Sequence, residues 1–431
     1  MYVDSLTELG GAARHALALL DPLVGRNDVT LIYRNPAEVH LPRIEQQFGV
    51  PLAVSRLQRV GCCWSVPRLS ASYDVFINAT YPEIFPGRAK TNVLVVLFPF
   101  RLDDFAGGIA ARAARWEQRS RQRLGQWADA LAPEIEATPF AEYCRSAGLA
   151  AAMRRGPAFV LRKIAWCRPN RLQLGFPALN SYQRILANSQ YTAGWIERYY
   201  GRSSSINYPP VQTDQFVPGQ KEKLILTVGR LQGGLWSKRQ EILLSVFQSL
   251  YNAGMLSDWR MEICGYGKSD STYLAGLREQ ARGYPVTISV DRPFDELAGL
   301  YGNASLYWHA MGLGQDAQAH PCSFEHFGLS TAEAMSASCI PMVFAGGGQT
   351  EIVCDSRAGF VWRNIDELAG NVRAFLAMSD EQRGQMRRAA RSAVERFDQQ
   401  NFYARTCAFY DELGIPRGDD CSSEQTMRKA A

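Results

Sequence analysis

Short β-branched runs alternate with longer helical patterns along most of this chain, and this alternation limits the folds open to it. In the second half, six runs are predicted to be strands: 224–231, 261–267, 286–291, 305–310, 340–345 and 358–362. Helical patterns are predicted near 238–253, 271–283, 295–303 and 328–338. Almost every residue of these strands is apolar, which is typical of parallel strands covered on both faces. The pattern predicts βαβ units in a doubly wound α/β sheet.

The first half shows the same alternation more weakly. Its predicted strands are 29–33, 73–79, 92–98 and 184–189. The paired prolines in INYPPV (206–211) end any regular element, so a domain boundary is expected there. The expected division is an N-terminal domain at 1–207, a C-terminal domain at 208–395, and a returning helix with a flexible tail at 396–431. Two Rossmann-like domains facing each other would bind ligands in the cleft, at the carboxyl ends of their strands.

Composition excludes several classes of protein. Charged residues make up 21% of the 431 residues, and the net charge of +5 comes without a run of Lys or Arg, which argues against nucleic acid as a partner. No apolar run reaches the roughly 18 residues that span a bilayer. The start of the chain lacks the pattern of a signal peptide. The ten cysteines show no zinc-site spacing, so no metal site is predicted and a cytoplasmic location is expected.

A basic segment at 101–172 interrupts the first half. It holds 12 Arg and one Lys against three Asp and four Glu, a net charge of +6. One helical stripe in it is apolar, and arginines flank that stripe; its members are Ile109, Ala113, Trp116, Leu124, Trp127 and Leu131. This pattern suits a helix lying on an anionic membrane surface. It also suits a helix packed on its own domain with a solvated basic face, which is the more usual origin of such a stripe.

Two glutamates stand eight positions apart in SFEHFGLSTAEAM (323–335). Glu325 precedes a glycine, Gly328, that allows a turn into a helix, and Glu333 lies within that helix. The start of the helix offers free backbone N–H groups to an anion. Because a helix rises about 1.5 Å per residue, two such carboxylates can hold the ends of one ligand with a diphosphate between them.

Two other segments fit a diphosphate ligand. VGRLQGGLWSK (228–238) places Arg230 and Lys238 after a predicted strand, where two cations would neutralise a leaving diphosphate. FAGGGQTEIV (344–353) leaves the next strand through a Gly-rich turn, whose N–H groups are expected to face an anion.

Together these motifs resemble the retaining GT-B glycosyltransferases of family 4, which carry a Glu-x7-Glu motif. The ordered segments VGRL, ICGYG, EHFGLSTAEAM and GGxxEIV carry the resemblance in the second half. GGAARHALALL (10–20), ANSQYTAGWI (187–196) and YPPV (208–211) carry it in the first half. The likeness covers nearly the whole chain apart from 101–172 and the tail.

The resemblance implies a role for each matching residue. Glu325 would contact hydroxyls of the donor sugar, and Glu333 would hold the ribose of the nucleotide. Arg230 and Lys238 would bind the diphosphate, and His309 would line the donor pocket. Further donor contacts would come from backbone in both domains, at Phe327, Gly328, Leu329, Gly10 and Gly11. His15, His40 and His326 receive no role.

Two departures from the family pattern stand out. Many relatives carry a histidine just before Phe-Pro in the first domain, where this chain has Leu97. The family also begins with an apolar strand before its Gly-Gly turn, and here only MYVDSLTEL precedes that turn. We therefore expect most of the first strand to be missing, as a start codon assigned too late would explain, with in-frame strand residues encoded upstream.

The resemblance implies a retaining hexosyltransferase of cell-surface glycan synthesis that uses a nucleotide diphosphate sugar, with GDP-mannose favoured over a UDP-sugar. Its acceptor would be a glycan or a lipid-linked glycan, and the enzyme would act on the cytoplasmic side, with the membrane surface as a further partner. No D-x-D motif occurs, so neither a metal nor another cofactor is expected. Two alternatives stay open: a catalytically degenerate scaffold or partner subunit, and a sugar-nucleotide epimerase of the same fold.

Overall fold

The computed structural model describes residues 1–3, 11–34, 54–60, 65–80, 84–100, 175–234, 236–267 and 271–416. The basic segment at 101–172, with its predicted membrane-binding helix, lies outside the described residues. The described part of the chain resumes at Gly175. The tail at 419–431, predicted to be flexible, also lies outside them.

The first half of the chain forms a parallel sheet. Its strands are β1 (Tyr2–Val3), β2 (Thr30–Tyr33), β3 (Arg56–Arg59), β4 (Val75–Asn78), β5 (Thr91–Val96), β6 (Arg184–Ala187) and β7 (Ser205–Ile206). They lie in the order β3-β2-β1-β4-β5-β6-β7, and every ladder between them is parallel. The described helices of this half are α1 (Gly11–Ala18), α2 (Val66–Ser70), α3 (Gly175–Asn180) and α4 (Gln190–Tyr200).

The first strand, β1, is two residues long and lies inside this sheet, between β2 and β4. Tyr2 pairs with Ile32 of β2 on one side and with Asn78 of β4 on the other. The Tyr2 side chain is fully buried and packs edge-on against Phe85. The strand that the sequence analysis expected to be largely missing is therefore short, yet it joins both halves of a doubly wound sheet.

The second half forms another parallel sheet. Its strands are β8 (Glu222–Val228), β9 (Arg260–Gly265), β10 (Val286–Val290), β11 (Ala304–His309), β12 (Ile340–Phe344) and β13 (Phe360–Trp362), in the order β10-β9-β8-β11-β12-β13. The helices are α5 (Gln240–Asn252), α6 (Thr272–Gln280), α7 (Phe294–Asn303), α8 (Leu329–Ser336), α9 (Gln349–Ile352), α10 (Ile365–Ala377), α11 (Asp380–Glu395) and α12 (Gln399–Glu412). Apolar strand residues pack against helices on both faces, as the sequence predicts for parallel strands.

The last helix, α12, crosses back to the first sheet. Phe402, Phe409 and Tyr410 join the apolar core formed by β1, β2 and α1. The Tyr410 hydroxyl donates a hydrogen bond to the carbonyl of Leu19 at 2.7 Å. The chain thus ends its described part on the domain where it began.

Two doubly wound sheets, connected once at 207–221 and again through α12, confirm the predicted α/β class and two-domain architecture. The carboxyl ends of their strands carry the segments that the sequence analysis selected. Within the described ranges, no helix combines the length and the hydropathy needed to cross a membrane.

Candidate active site

The Glu325 side chain lies between a lysine and a histidine beyond the carboxyl ends of β8 and β11. Its Oε2 atom accepts a hydrogen bond from Lys238 Nζ at 2.5 Å and lies 3.0 Å from His309 Nε2. Lys238 and Glu325 are each 15% exposed, so water screens their ion pair little. Burial raises the pKa of Glu325, but Lys238 and His309 together outweigh it and hold that pKa well below its usual range. Glu325 is therefore a carboxylate at neutral pH.

His309 is neutral in this arrangement. Its ring is 1% exposed, and burial lowers its pKa despite the neighbouring Glu325 carboxylate. Because a carboxylate only accepts hydrogen bonds, Nε2 must carry the ring proton and donate a hydrogen bond to Glu325. The other ring nitrogen, Nδ1, is buried and has no hydrogen-bond partner among the described residues. His309 thus orients Glu325 and keeps a free acceptor.

Lys238 reaches Glu325 from the segment that follows β8. A Cβ atom on Gly229 would lie 2.8 Å from Lys238 Cγ, so the glycine lets the lysine stem pass close to the backbone. Lys238 Nζ also lies 3.2 Å from the sulfur of Met311. One of its three protons therefore remains for a ligand such as a phosphate oxygen.

Arg230 does not join this cluster. Its side chain is exposed, and its carbonyl accepts a hydrogen bond from Gln240 Nε2 at 3.0 Å. Within the described part of the chain, its guanidinium forms no ion pair. Burial is the largest cause that lowers the pKa of His326, to about 4, and the charge of Arg230 contributes to the same shift. Arg230 is thus an unpaired cation close to the Glu325 loop.

Glu333, on α8, has partners different from those of Glu325. Its Oε2 accepts a hydrogen bond from the Tyr301 hydroxyl at 3.1 Å, and its Oε1 lies 3.6 Å from Arg14 NH1 of α1. Burial raises the pKa of Glu333, and Arg14 and Tyr301 offset this in part. Arg14 NH2 is buried and has no hydrogen-bond partner among the described residues. An ion pair between the two halves of the chain thus holds the second glutamate of the motif.

The five positions whose backbone is expected to contact the donor differ in their surroundings. Gly328 has a φ of 112° at the start of α8, a conformation that favours glycine. The Phe327 side chain is core, because it packs against Tyr208 and Phe397. A Cβ atom on Gly11 would lie 2.3 Å from Leu329 Cδ1, so α1 and α8 approach closely there. Gly10 lies outside the described residues.

The Gly-rich turn after β12 supports the Glu325 loop. The N–H of Gly348 donates to the Glu325 carbonyl at 2.7 Å, and a Cβ atom on Gly347 would lie 2.0 Å from that same oxygen. The expectation that this turn offers its N–H groups to an anion is therefore wrong for Gly348. Its physical role is close backbone packing, which only glycine permits here.

Sequence reasoning missed three residues at this site. Arg14 lies within the GGAAR stretch, where only the glycines were considered. Glu351 lies in GGGQTEIV, and its side chain bonds to α4 of the first half. Tyr301 lies in the last turn of α7 and belongs to no motif. Each of these contacts joins segments far apart in the chain, so a single sequence carries no signal for them.

Two doubly wound sheets with carboxylates and cations between them are the architecture of GT-B glycosyltransferases. Residues 211–393 match the family model for glycosyl transferases group 1, which covers less than half of the chain. The fold is similar to that of the Anabaena protein HepE solved with UDP and glucose, with a TM-score of 0.61 and 15% identity over 96% of this chain and 99% of that one. A glycosyltransferase from Rickettsia africae has a TM-score of 0.58 and 12% identity over 96% and 97% of the two chains.

Curated relatives include two mannosyltransferases. The human GDP-Man:Man(3)GlcNAc(2)-PP-Dol alpha-1,2-mannosyltransferase is 27% identical over 51% of this chain and 46% of its own length. The Xanthomonas oryzae GDP-mannose:cellobiosyl-diphosphopolyprenol alpha-mannosyltransferase is 27% identical over 44% of this chain and 49% of its own. The chain therefore matches about half the length of these relatives.

Proposed function

We propose that this protein is a retaining hexosyltransferase that moves mannose from GDP-mannose to a lipid-linked glycan. The observation that carries the proposal is the buried Glu325 carboxylate, held by Lys238 and His309. The match of residues 211–393 to the group 1 glycosyltransferase model supports the sugar transfer. The names of the human and Xanthomonas relatives give a GDP-mannose donor and a dolichol- or polyprenol-linked acceptor, which favours the same pair of substrates here.

The proposed reaction takes place on one face of the sugar. The bond from C1 to the diphosphate breaks while the acceptor oxygen bonds to C1 from the same side, and the leaving phosphate oxygen takes the acceptor proton. In this proposal Lys238 and Arg230 balance the charge that develops on the diphosphate. Glu325 accepts hydrogen bonds from sugar hydroxyls and, as an anion, favours the positive charge that develops at C1. Glu333 binds the ribose once its ion pair with Arg14 is broken.

Nucleotide binding tests the donor. In a thermal-shift screen with GDP, UDP, ADP and dTDP, we expect GDP to raise the melting temperature most, because a ligand that binds only the folded state stabilises it. A ligand at 100 times its Kd adds about 2.7 kcal/mol of stability. A larger rise in melting temperature with UDP would indicate a UDP-sugar as the donor instead. No shift with any nucleotide would favour a degenerate scaffold.

A second part of the proposal is attachment to the membrane surface that carries the acceptor. It rests on the apolar, Trp-containing stripe within 101–131 and on the arginines that flank it in the sequence. Changing Arg112, Arg115 and Arg119 to Gln is expected to weaken co-sedimentation with anionic vesicles by on the order of 100-fold, because each basic residue contributes about 1 kcal/mol near such a surface.

The matched control for the vesicle experiment removes the same charge elsewhere. Arg278, Arg282 and Arg363 are exposed on the second half of the chain. Changing these three to Gln is expected to leave binding nearly unaltered. If the unmodified protein fails to bind anionic vesicles even at low salt, the stripe packs on its own domain and the membrane proposal is wrong.

A further inference from the structure

Glu351 binds the start of a helix that belongs to the other half of the chain. Its Oε2 accepts a hydrogen bond from the backbone N–H of Gln190 at 2.9 Å, and its Oε1 accepts one from Tyr191 at 2.8 Å. These two residues begin α4, which already has its own cap, since Ser189 Oγ accepts from the N–H of Thr192. A carboxylate at a helix start gains from both the N–H groups and the helix dipole.

The same carboxylate also binds the connection between the two halves. The hydroxyl of Tyr208, in the YPPV segment, donates to Glu351 Oε2 at 2.9 Å. Burial, together with the charge of Glu351, raises the pKa of Tyr208 to about 12, so the hydroxyl keeps its proton. Tyr208 packs in turn against Phe327 and Phe397, with ring centroids 5.7 and 4.9 Å away. Glu351 therefore joins three separate segments of the protein.

The backbone around Glu325 is tied to both partners of this junction. Ser189 Oγ, beside the start of α4, donates to the carbonyl of His326 at 2.5 Å. Gly348, three residues before Glu351, donates its N–H to the carbonyl of Glu325 at 2.7 Å. The ring of Phe98, from the first half, stacks on His326 with centroids 4.5 Å apart. A shift of α4 away from Glu351 would therefore move the loop that carries Glu325.

We propose that Glu351 is a positioning residue for sugar transfer. It holds α4 of the first half, where the acceptor is proposed to bind, against the Glu325 loop, and so fixes the distance between the donor sugar and the acceptor across the cleft. The inference rests on the proposed function. Glu351 itself does not touch substrate, because its carboxylate already accepts hydrogen bonds from Gln190, Tyr191 and Tyr208.

The test compares Glu351→Ala with Glu367→Ala. Glu367 is a matched control, because it also accepts a backbone N–H, that of Arg363 at 2.7 Å, but within one half of the chain. Glu351→Ala is expected to lower kcat by about 100-fold, the effect of a misplacement of about 1 Å. The Kd for GDP is expected to stay within about twofold, since the cations proposed to bind it remain. Amide exchange at Gln190 and Tyr191 is expected to accelerate. Glu367→Ala is expected to change none of these.

Two milder variants separate positioning from general stability. Glu351→Gln keeps one acceptor oxygen and is expected to recover part of kcat, while Tyr208→Phe removes one of three hydrogen bonds and is expected to have the smallest effect. Equal losses in kcat and GDP affinity for Glu351→Ala, or an unaltered kcat in an active protein, would overturn the positioning role alone. If the unmodified protein transfers no sugar, the proposed function fails and the positioning role fails with it.

Discussion

Replacing Glu325 with alanine is expected to abolish sugar transfer, with kcat reduced on the order of 1000-fold, as expected for loss of a preorganised charge. Nucleotide binding is expected to persist, because Glu325 is assigned to the sugar end of the donor. Removing the carboxylate also frees Lys238 from its ion pair and leaves it available to the diphosphate. The Kd for GDP is therefore expected to stay the same or to fall. Single-turnover kinetics and calorimetric titration measure the two quantities separately.

The matched variant Glu325→Gln keeps the shape and one acceptor oxygen but removes the charge. It is expected to retain more transfer than Glu325→Ala if hydrogen bonds to sugar hydroxyls dominate, and equally little if the negative charge dominates. Turnover close to that of the unmodified protein in Glu325→Ala would show that the site is assigned to the wrong residue.

Replacing Lys238 with alanine is expected to weaken GDP binding by about 30-fold, or about 2 kcal/mol, while guanosine binding stays nearly unaltered. The reason is that Lys238 can donate to a phosphate oxygen but has no contact with the nucleoside. Arg230→Ala is expected to act in the same direction and more weakly, because its guanidinium is exposed and water competes for it. Titrations with GDP and with guanosine give both numbers.

Lys223→Ala is the control for this pair. Lys223 lies on β8, the same strand that leads to Lys238, but its exposed side chain pairs with Asp258. It is expected to leave GDP binding as it was. Equal losses of guanosine and GDP affinity in Lys238→Ala would contradict the phosphate role and indicate a distorted site instead.

The strands that position the site were predictable because their pattern is strong. The apolar runs that end at His309 or lead into Lys238 and the Gly-rich turn are mostly buried, and few other structures explain such runs. The strand β3 was missed because its sequence, RLQR, is polar and partly exposed at the edge of its sheet. Propensity favours no strand there, so its pairing with β2 depends on the tertiary fold.

The candidate site was predictable only in part. The motif selected Glu325 and Glu333 together, and the resemblance assigned them to two ends of one ligand. The sequence alone identifies no partner for either side chain. In the structure, Glu325 contacts Lys238 and His309, and Glu333 contacts Arg14 and Tyr301. Contacts between distant segments depend on how helices pack, and spacing along one chain does not determine that.

The role of Gly347 and Gly348 shows a different limit of sequence reasoning. A Gly-rich turn before a helix is typical both of anion binding and of close backbone packing. The two readings differ in where the N–H groups point, which sequence does not reveal. In the structure the Gly348 N–H binds the carbonyl of Glu325, so this turn supports the catalytic candidate through its backbone.

The most direct test of the proposed function is the transfer reaction with purified protein, GDP-mannose labelled in the sugar, and a polyprenyl-diphosphate-linked glycan as acceptor. We predict one GDP released for each mannose transferred, and a product whose new bond has the α configuration of the donor, as read from the anomeric signals in its NMR spectrum. A β-linked product would contradict retention. The absence of transfer from both GDP-mannose and UDP-sugars, by a protein that still binds nucleotide, would contradict the assignment as a glycosyltransferase.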